Sequence, residues 1–336
     1  NTGEKSTKWV KIPSFKNDFL HFNKNVKKLQ ALSHKNWCTK TFNAKPYLKE
    51  GDFHVYLENG EPKIGIRFIK NKIQEIQGEL NNGIIPIEYL TTVQEYISEN
   101  NFSLNANATD EMNLSVKHKE RIEKIKQDLS PDMLKDSDPQ VIFPYFGIDI
   151  EQDDDGLFII SHYKQPKDCS YKDLGINEKK LMENVKEIRK NADFTYSGLS
   201  SLGKLERIGG SALFHYSNIT DLGNLKTIDK DAIFTSSQIK SLGRLEHIGE
   251  NAFFEESKVE DLGNLEYIGG LAEFKNSPIK SLKNLKTIKG FASFEESLVD
   301  DLGKLKQVGG NIYINNSKLS PQDFSNIIID GEIVID

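Results

Sequence analysis

Cys38 is the first candidate for nucleophilic chemistry, because His34 and His54 lie close to it in the sequence. A thiolate–imidazole pair would require contact between the two groups at about 3 Å and a lowered thiol pKa. The alternative interpretation is a buried thiol that packs as a small apolar group, and the adjacent Trp37 favours this alternative. The sequence leaves both interpretations of Cys38 open.

Arg67 is the second candidate, because Asp52 and Glu75 are potential carboxylate partners on either side of it in the sequence. Its guanidinium could hold an anionic ligand, or Asp52 and Glu75 could act as an acid–base pair. A structural ion pair is the simpler interpretation. The chain contains no phosphate-binding loop, zinc-ligand spacing or nucleophile elbow. We therefore assign no metal and no cofactor, and the motif content favours a binding protein over an enzyme.

The elements that would position these side chains form a small α+β domain over residues 1–104. Phe19, Phe22, Val26 and Leu29 share one face of a predicted helix. Three predicted strands follow, at 53–58, 63–69 and 72–77, and Asn59–Gly60 is a strong hairpin signal between the first two. A further helix begins near Pro86. Residues 105–138 are predicted to be a polar linker with a helical segment at 111–129.

The candidate residues of this domain form a pattern that resembles PcfJ-like proteins of conjugative elements. The resemblance spans about 50 residues and rests on the following positions: Trp37, Cys38, Thr39, Tyr47, Gly51, Asp52, Ile66, Arg67, Glu75, Gly78, Asn81 and Asn82. It implies no particular reaction.

The second half of the chain is an internal repeat of 20 residues, beginning near residue 191. Its unit is A-x-F-x-x-S-x-I-x-x-L-G-x-L-x-x-I-x-x, repeated without an insertion. The A-x-F part has the period of a short strand, and the later I-x-x-L-x-x-L-x-x-I part has a period of three, typical of tight turns or a 3₁₀-like wall. Lys283 replaces the glycine of one repeat, which predicts a position that tolerates a side chain.

Such a repeat cannot bury its own apolar side chains, so successive coils are predicted to stack into a solenoid with a parallel sheet along one wall. The buried serine of each repeat needs a hydrogen-bond partner, and the backbone of the adjacent coil is the expected one. Residues 139–190 are predicted to cap the first coil. They include a hairpin at 147–161, with a solvated turn at Asp153–Asp155, and a helix that carries Leu181, Val185 and Ile188. Phe324 and the strand at 333–335 are expected to close the other end.

The repeat resembles the leucine-rich repeat family, in its short 20-residue bacterial-type form. The family pattern L-x-x-L-x-L-x-x-N-x-L corresponds to A-x-F-x-x-S-x-I here, with serine in place of the usual asparagine. The resemblance covers residues 191–336. It implies a binding scaffold, usually for proteins, and rarely catalysis.

The distribution of charged and apolar residues disfavours two classes of partner, nucleic acid and the interior of a membrane. Residues 191–336 carry 15 Lys+Arg against 21 Asp+Glu, and the rest of the chain carries 29 of each. Neither half has the basic stripe of a nucleic-acid-binding protein, and no apolar run is long enough to cross a membrane. We expect a monomer that binds a protein. A cytoplasmic location is favoured, although the sequence begins at Asn1 and leaves export open.

The residues that flank Ala and Phe in each strand should point away from the core, because strand side chains alternate. The predicted partner-binding surface therefore consists of an apolar diagonal and an acidic border: Leu213, Ile233, Phe253, Leu271, Phe291 and Tyr313, with Glu255, Glu273 and Glu295. The leading hypothesis is a protein-binding scaffold. The alternatives are an enzyme or toxin-like activity in residues 1–104 that the solenoid targets, and a structural spacer.

Overall fold

The structure is a computed structural model that describes residues 6–34, 37–40, 43–79, 83–166 and 169–335. The chain divides into two compact units, Asn1–Ile125 and Lys126–Asp336. Asn81 and Asn82, which complete the PcfJ-like pattern, lie outside the described residues. The predicted architecture, an α+β region followed by a parallel solenoid, is confirmed.

The first unit is built around a five-stranded sheet with the order β1-β2-β3-β4-β5. The neighbouring strands are antiparallel except for β4 and β5, which are parallel. The sequence predicted the three central strands and missed one at each edge. The elements are β1 (Thr7–Ile12), α1 (Phe22–Ala31), a 3₁₀ turn (Cys38–Lys40), α2 (Ala44–Glu50), β2 (Asp52–Glu58), β3 (Glu61–Ile69), β4 (Lys72–Gln77), α3 (Ile87–Glu99), β5 (Ser103–Leu104) and α4 (Ala106–Asp128).

Both faces of this sheet are covered, because the side chains of each strand alternate between two apolar layers. Phe53, Val55 and Leu57 of β2 pack in a layer with residues of α1 and α2. Tyr56, on the same strand, belongs to the opposite layer, which α3 and α4 cover. The two helical layers are therefore separated by the sheet, and a residue's parity along a strand decides which layer it joins.

The second unit begins with the segment that covers the first coil of the solenoid. Ser137 links two parts of it, since its hydroxyl donates to the carbonyl of Leu134 and accepts the N–H of Asn177. The predicted hairpin is confirmed as β6 and β7. The predicted helix through Ile188 is wrong, because Val185–Ile188 extends along β7 as a strand. The elements are α5 (Pro131–Asp136), α6 (Pro139–Tyr145), β6 (Ile150–Gln152), β7 (Phe158–Ile160), α7 (Glu178–Met182) and β8 (Val185–Ile188).

The solenoid has two sheets, not one, and their strands are parallel except at the β6–β7 hairpin. The A-x-F parts form an eight-stranded sheet, here called the alanine sheet: Ala192–Asp193, Ala212–Leu213, Ala232–Ile233, Ala252–Phe253, Ala272–Glu273, Ala292–Ser293, Ile312–Tyr313 and Ile333–Val334. A ten-stranded sheet combines β6, β7 and β8 with Arg207–Ile208, Thr227–Ile228, His247–Ile248, Tyr267–Ile268, Thr287–Ile288, Gln307–Val308 and Ile328–Ile329.

The second sheet corrects the predicted 3₁₀-like wall. Residues 185–320, all of which the structure describes, contain no helix. Where a 3₁₀ wall would satisfy its backbone within each coil, the extended residues of this wall bond to neighbouring coils, as when the N–H of Glu206 donates to the carbonyl of Lys186. The period of three in the sequence reflects the spacing of inward side chains around turns, and it does not indicate helical winding.

A column of stacked phenylalanine rings runs through the solenoid core. The rings of Phe194, Phe214, Phe234, Phe254, Phe274 and Phe294 lie 5.1–5.4 Å apart between centroids, with planes within 10° of parallel. Each offset-stacked pair contributes about 0.5–1.5 kcal/mol beyond the burial of its area. Tyr163 extends the column at one end and Phe324 at the other. The column therefore joins all the central coils.

Six of the seven serines of the column are buried, as predicted, but the expected hydrogen bonds to the backbone of the adjacent coil do not form among the described residues, and the Oγ atoms of Ser237 and Ser297 have no hydrogen-bond partner there. The hydroxyl of Ser217 donates to the carbonyl of Phe214 at 3.0 Å, and that of Ser277 donates to the carbonyl of Phe274 at 2.8 Å. These partners lie in the same coil, because the chain turns back between phenylalanine and serine. The third residue of each such turn has a positive φ: Tyr196, Tyr216, Ser236, Glu256, Asn276, Glu296 and Asn316.

The two ends of the solenoid are finished differently. At the first coil, the buried carboxylate of Glu178 accepts the hydroxyls of Tyr163 and Ser197, the amide of Gln165 and the N–H of Gly198. These four donors satisfy a charge that would otherwise be costly to bury. At the last coil, Phe324 is buried, whereas 64% of Ile328 and 59% of Ile335 is exposed. The predicted closure of this end is therefore incomplete in the structure.

The coils are further grouped in pairs, at a corner where the residue before leucine alternates between serine and aspartate. Isolated bridges join Ser201 to Asp221, Ser241 to Asp261 and Ser281 to Asp301. Within a pair, the N–H of Leu242 donates to the carbonyl of Asp261, and the equivalent bond forms in the other two pairs. Among the described residues, no bridge of this kind joins one pair to the next. The structural repeat at this corner is 40 residues.

This pairing explains why the glycine column accepts a lysine at residue 283. A Cβ added at Gly223 or Gly263 would lie 2.4 Å from the carbonyl oxygen of the preceding coil, whereas one added at Gly203 or Gly243 meets nothing within 4 Å. The tight glycines belong to the second coil of a pair and the open ones to the first. Lys283 occupies an open position, so the tolerance predicted from it holds only for alternate coils.

Because the coils are paired, a glycine-to-lysine substitution should destabilise the two kinds of coil to different extents. Gly243→Lys should lower the free energy of unfolding by about 1–2 kcal/mol, since the new side chain must adopt a positive φ. Gly263→Lys should cost a further 1–3 kcal/mol or so, because the backbone of the neighbouring coil must also move. Urea denaturation of both variants measures the difference. Equal losses would show that the corner does not alternate.

Candidate functional site

The outward residues of the alanine sheet form a continuous apolar row over three neighbouring strands. Leu213 pairs in register with Ile233, and Ile233 pairs with Phe253. All three side chains are half-buried. Side chains directly opposite each other on neighbouring strands lie close enough to touch. This row therefore presents one apolar strip on the outside of the sheet.

Two further aromatic residues and one leucine extend the predicted surface toward the later coils. The carbonyl of Leu271 accepts the N–H of Ala252, which places Leu271 beside the strand that carries Phe253. Phe291 and Tyr313 are in contact edge to face, with ring centroids 5.7 Å apart. Leu271, Phe291 and Tyr313 are half-buried, like the row itself.

The acidic border concentrates on Glu273. Burial, and then the charges of Glu255 and Glu295, raise the pKa of the Glu273 carboxyl, and Lys275 lowers it in part. Glu255 and Glu295 thus each lie close enough to Glu273 to repel its carboxylate. Lys275 is itself drawn to Glu296, at 3.8 Å. The strip is bordered by negative charge that the protein's own cations offset only partly.

Two exposed tyrosines at the edge of this sheet were not among the predicted site residues. Tyr196 and Tyr216 stack with their centroids 5.6 Å apart, and 44% and 61% of their surfaces are exposed. They occupy the positive-φ position of the turn, which falls between the strand and the buried serine and so has no place in a simple alternation. The signal in the sequence was two aromatic residues exactly one repeat apart, in a column that is otherwise polar.

A shallow groove of about 590 Å³ lies on the same corner, in the later coils. It is lined by Lys240, Ser257, Lys258, Glu260, Asn276, Ser277, Pro278, Glu296 and Leu298. Its lining is mixed in charge, and it contains no group suited to nucleophilic or metal chemistry.

In the first unit, the structure brings together part of the predicted chemical cluster. The Cys38 thiol, through its charge when ionised and its hydrogen bond, raises the pKa of the Tyr47 hydroxyl. The Arg67 guanidinium lies over the Tyr47 ring, 4.6 Å from its centroid, and donates to Glu50 at 2.6 Å. Glu75 is the register partner of Arg67 on β4. Cys38, Arg67 and Glu75 therefore surround one tyrosine.

The remaining members of the predicted cluster lie elsewhere. His54 faces the opposite helical layer, where its Nδ1 hydrogen-bonds the hydroxyl of Tyr96 at 3.0 Å. Burial lowers the pKa of His54 to about 4, so the imidazole is neutral at pH 7. His54 is thus separated from Cys38 by the sheet and is no partner for the thiol. Trp37 is buried and its indole N–H donates to the carbonyl of Gly78 at 2.7 Å, whereas the neighbouring Cys38, for which burial was the alternative to catalysis, is only half-buried.

Asp52 holds a loop in place. Its carboxylate accepts the N–H of Ser14 at 2.6 Å and the side-chain amide of Asn17 at 2.9 and 2.7 Å. These bonds fasten the segment between β1 and α1 to the start of β2. An acid–base pair of Asp52 with Glu75 has no support, since the oxygens of Asp52 are already engaged in this loop.

The predicted solvated turn at Asp153–Asp155 is held by its own backbone. Asp153 accepts the N–H groups of Asp155 and Leu157 and forms an ion pair with Lys186. Its pKa is lowered, mainly by the hydrogen bond from Lys186. Across the described ranges, no three His, Cys, Asp or Glu side chains are grouped closely enough to hold a metal ion.

Comparisons with known proteins add no family. No family model, curated protein or solved structure matches the chain. Within the part of the chain that the structure describes, none of the helices has both the length and the apolar character needed to cross a bilayer.

Because the pKa of Glu273 is raised, replacing its carboxyl with a neutral amide should increase the stability of the folded state in a pH-dependent way. The folded state favours the protonated carboxyl, so its contribution to stability is present at low pH and is lost as pH rises through the folded-state pKa. Glu273→Gln should therefore raise the melting temperature at pH 7 and leave it unchanged below about pH 4. Thermal melts at both pH values test this. A lower melting temperature at pH 7 would show that the three carboxylates do not repel.

Proposed function

We propose that the solenoid binds a protein partner through the outer surface of the alanine sheet. The observation that carries this proposal is the register-paired row of Leu213, Ile233 and Phe253 beside the carboxylates of Glu255 and Glu273. Apolar and aromatic side chains rimmed by charge are typical of interface hot spots. The resemblance of the repeat to leucine-rich repeats points to the same class of function.

The charge around the row indicates the chemistry of the partner. Burial and the repulsion from Glu255 and Glu295 raise the pKa of the Glu273 carboxyl. A Lys or Arg from a partner would relieve that repulsion, whereas a carboxylate would increase it. We therefore infer a partner that brings cationic side chains around an apolar anchor. Association with such a partner should slow as salt screens the charges.

The shape of the surface favours a partner that crosses several coils. Each strand of the alanine sheet contributes only one outward residue between its alanine and phenylalanine, so a single coil offers little apolar area. A partner that engages Leu213, Ile233 and Phe253 together contacts three consecutive strands. Phe291 and Tyr313 provide a second anchor further along the sheet.

The experiment compares partner capture by the full chain and by a double variant, Phe253→Ala with Phe291→Ala. Loss of both rings should reduce binding by at least about a hundredfold, the effect of two moderate hot spots. The free energy of unfolding should fall by less than about 2 kcal/mol, because both side chains are already partly exposed. Affinity capture followed by titration of the captured protein measures the loss of binding, and urea denaturation measures the change in the free energy of unfolding.

The matched control is Leu298→Ala with Ile328→Ala, which removes two exposed apolar side chains that lie off this sheet surface. It should leave binding unchanged. Binding that survives the loss of Phe253 and Phe291 but is lost in the control, or with Lys204→Ala and Arg244→Ala, would move the interface to another wall of the solenoid.

An enzymatic or toxin-like activity in residues 1–104 is the second candidate, and one observation favours it. Cys38 and Arg67 meet at the Tyr47 ring, so a thiol and a fixed cation share one neighbourhood. The proposal is weaker than the first because Asp52 and His54, which would supply a base, are engaged elsewhere.

A further inference from the structure

The near-neutral charge of the chain outside the repeat conceals a strong local asymmetry. Residues 1–50 contain 11 Lys and no Arg, against three acidic residues. Six of these lysines lie on α1, the 3₁₀ turn and α2, which together cover one face of the sheet, and Lys16 lies in the loop just before α1. The opposite layer includes α3, whose charged residues are Glu88, Glu95 and Glu99.

We call the exposed surface of the first layer the lysine face. Its members are Lys16 in the loop before α1, and Lys24, Lys27, Lys28, Lys40, Lys45 and Lys49 on the helical turns. All seven are exposed, and none forms an ion pair with another described residue. The nearby acids are already engaged, Asp18 with Asn25 and Glu50 with Arg67. The lysine face is therefore a positive surface whose charge is not offset by an ion pair with any residue that the structure describes.

Two exposed apolar residues, Phe19 and Leu20, lie at the edge of this face and are here called the apolar tip. Phe19 and Leu20 are 65% and 86% exposed, directly before α1. Phe15 supports the tip from below, since its ring contacts Phe19 edge to face at 5.0 Å and Phe22 at 5.1 Å. Large apolar side chains held out into water mark a contact surface when they cluster with a functional charge pattern.

The loop that carries the tip is ordered by many hydrogen bonds. Asp52 accepts from Ser14 and Asn17, and the N–H of Phe15 donates to the carbonyl of Leu48 on α2. The exposure of Phe19 and Leu20 is thus a fixed feature of the fold, and docking would require little ordering of the loop. Asp52, which the sequence offered as a candidate catalytic residue, therefore has a structural role, since its hydrogen bonds hold this loop in place.

We propose that the lysine face and its tip dock the protein onto the surface of a membrane rich in anionic lipid. Lysines close to such a surface each favour binding, and a short apolar tip can enter the boundary between headgroups and acyl chains. The combination of unpaired lysines around Phe19 and Leu20 matches both requirements. This surface is distinct from the protein-binding surface proposed for the solenoid.

Nucleic acid is the other polyanion that a lysine face could bind, and two features favour the membrane. The face is built from lysine alone, whereas base and phosphate recognition is typically rich in arginine, with its fork of donors. Leu20 is the most exposed member of the tip, and an aliphatic side chain gains nothing from base stacking but does gain from entering lipid.

The experiment is co-sedimentation of the full chain with two kinds of vesicle. One is pure phosphatidylcholine, and the other is phosphatidylcholine with phosphatidylserine at about two to one. The full chain should bind the anionic vesicles and not the neutral ones, and added salt should weaken the binding. Failure to bind the anionic vesicles at low salt would overturn the proposal.

Two variants separate the parts of the surface. Phe19→Ser with Leu20→Ser should reduce binding about tenfold or more, since the apolar insertion is lost. Lys24→Glu with Lys27→Glu and Lys28→Glu should reduce it by at least about a hundredfold, from the loss of three favourable charges. All five side chains are exposed, so both variants should fold, which melting curves verify.

The solenoid supplies matched controls for both variants. Leu298→Ser with Ile328→Ser removes equivalent exposed apolar groups, and Lys190→Glu with Lys230→Glu and Lys280→Glu makes the same change in net charge. Both controls should bind like the unaltered chain. An equal loss of vesicle binding in the charge variant and its control would show that only the net charge of the protein matters. That result would contradict the proposal that the lysine face is a specific binding surface. Binding to duplex DNA that needs Lys24, Lys27 and Lys28 but not the tip, without vesicle binding, would identify a nucleic-acid surface instead.

Discussion

No coil of this solenoid can satisfy its own backbone or bury its own side chains, and the rest of the second unit depends on that constraint. The short strands contain two residues each, so nearly every hydrogen bond of both sheets joins one coil to the next. The phenylalanine column has the same property, because each ring packs on the rings of its neighbours. Stability in such an array comes from the interfaces between coils more than from the coils themselves.

The same constraint separates structural from functional residues. The alanine, phenylalanine, serine and leucine columns point inward and recur in coil after coil, because a change in any of them disturbs two interfaces. The outward positions carry no such requirement, and they differ from coil to coil. The row of Leu213, Ile233 and Phe253 and the carboxylates around Glu273 occupy these free positions. The fold thus holds a variable surface on a regular frame.

In the first unit, the sheet decides which side chains can meet. It separates two helical layers, so side chains that are neighbours in the sequence can lie in different layers and have different contacts. Phe53 and His54 are adjacent, yet one packs under the lysine face and the other hydrogen-bonds Tyr96 on the opposite side. A pairing of Cys38 with His54 was reasonable from sequence distance, and the alternation of β2 is what prevents it.

The sequence was sufficient to predict the features that recur in every repeat. It was not sufficient for the features that depend on how the chain turns within a coil or contacts the next coil. The 20-residue period was sufficient for the solenoid, its inward columns and the outward row, because each follows from strand alternation. It was not sufficient for the second sheet, since the inward residues of that wall, such as Leu205 and Ile208, are three apart and show no period of two. The carbonyl partner of Ser217 was also missed, because the turn that brings Phe214 back to Ser217 has a positive φ at Tyr216, where neither glycine nor a turn motif signals it.

The pairing of coils was present in the sequence as an alternation of serine and aspartate at residues 201–301, but its meaning required the structure. Only the geometry shows that a side chain at Gly263 would meet the carbonyl of Gly243, while one at Gly243 has open space. The same observation accounts for Lys283, which alone in its column is not glycine and which forms an ion pair with Asp261 at 2.9 Å.

The most direct test of this account compares two deletions in the full chain, one of residues 241–260 and one of residues 241–280. The longer deletion removes a whole coil pair and leaves every remaining serine coil with its aspartate coil, whereas the shorter one leaves the coil of Asp261 without Ser241. We predict that the shorter deletion lowers the free energy of unfolding more than the longer one does, as measured by urea denaturation. A loss in proportion to the number of coils removed would contradict the account and show that all coil interfaces are equivalent.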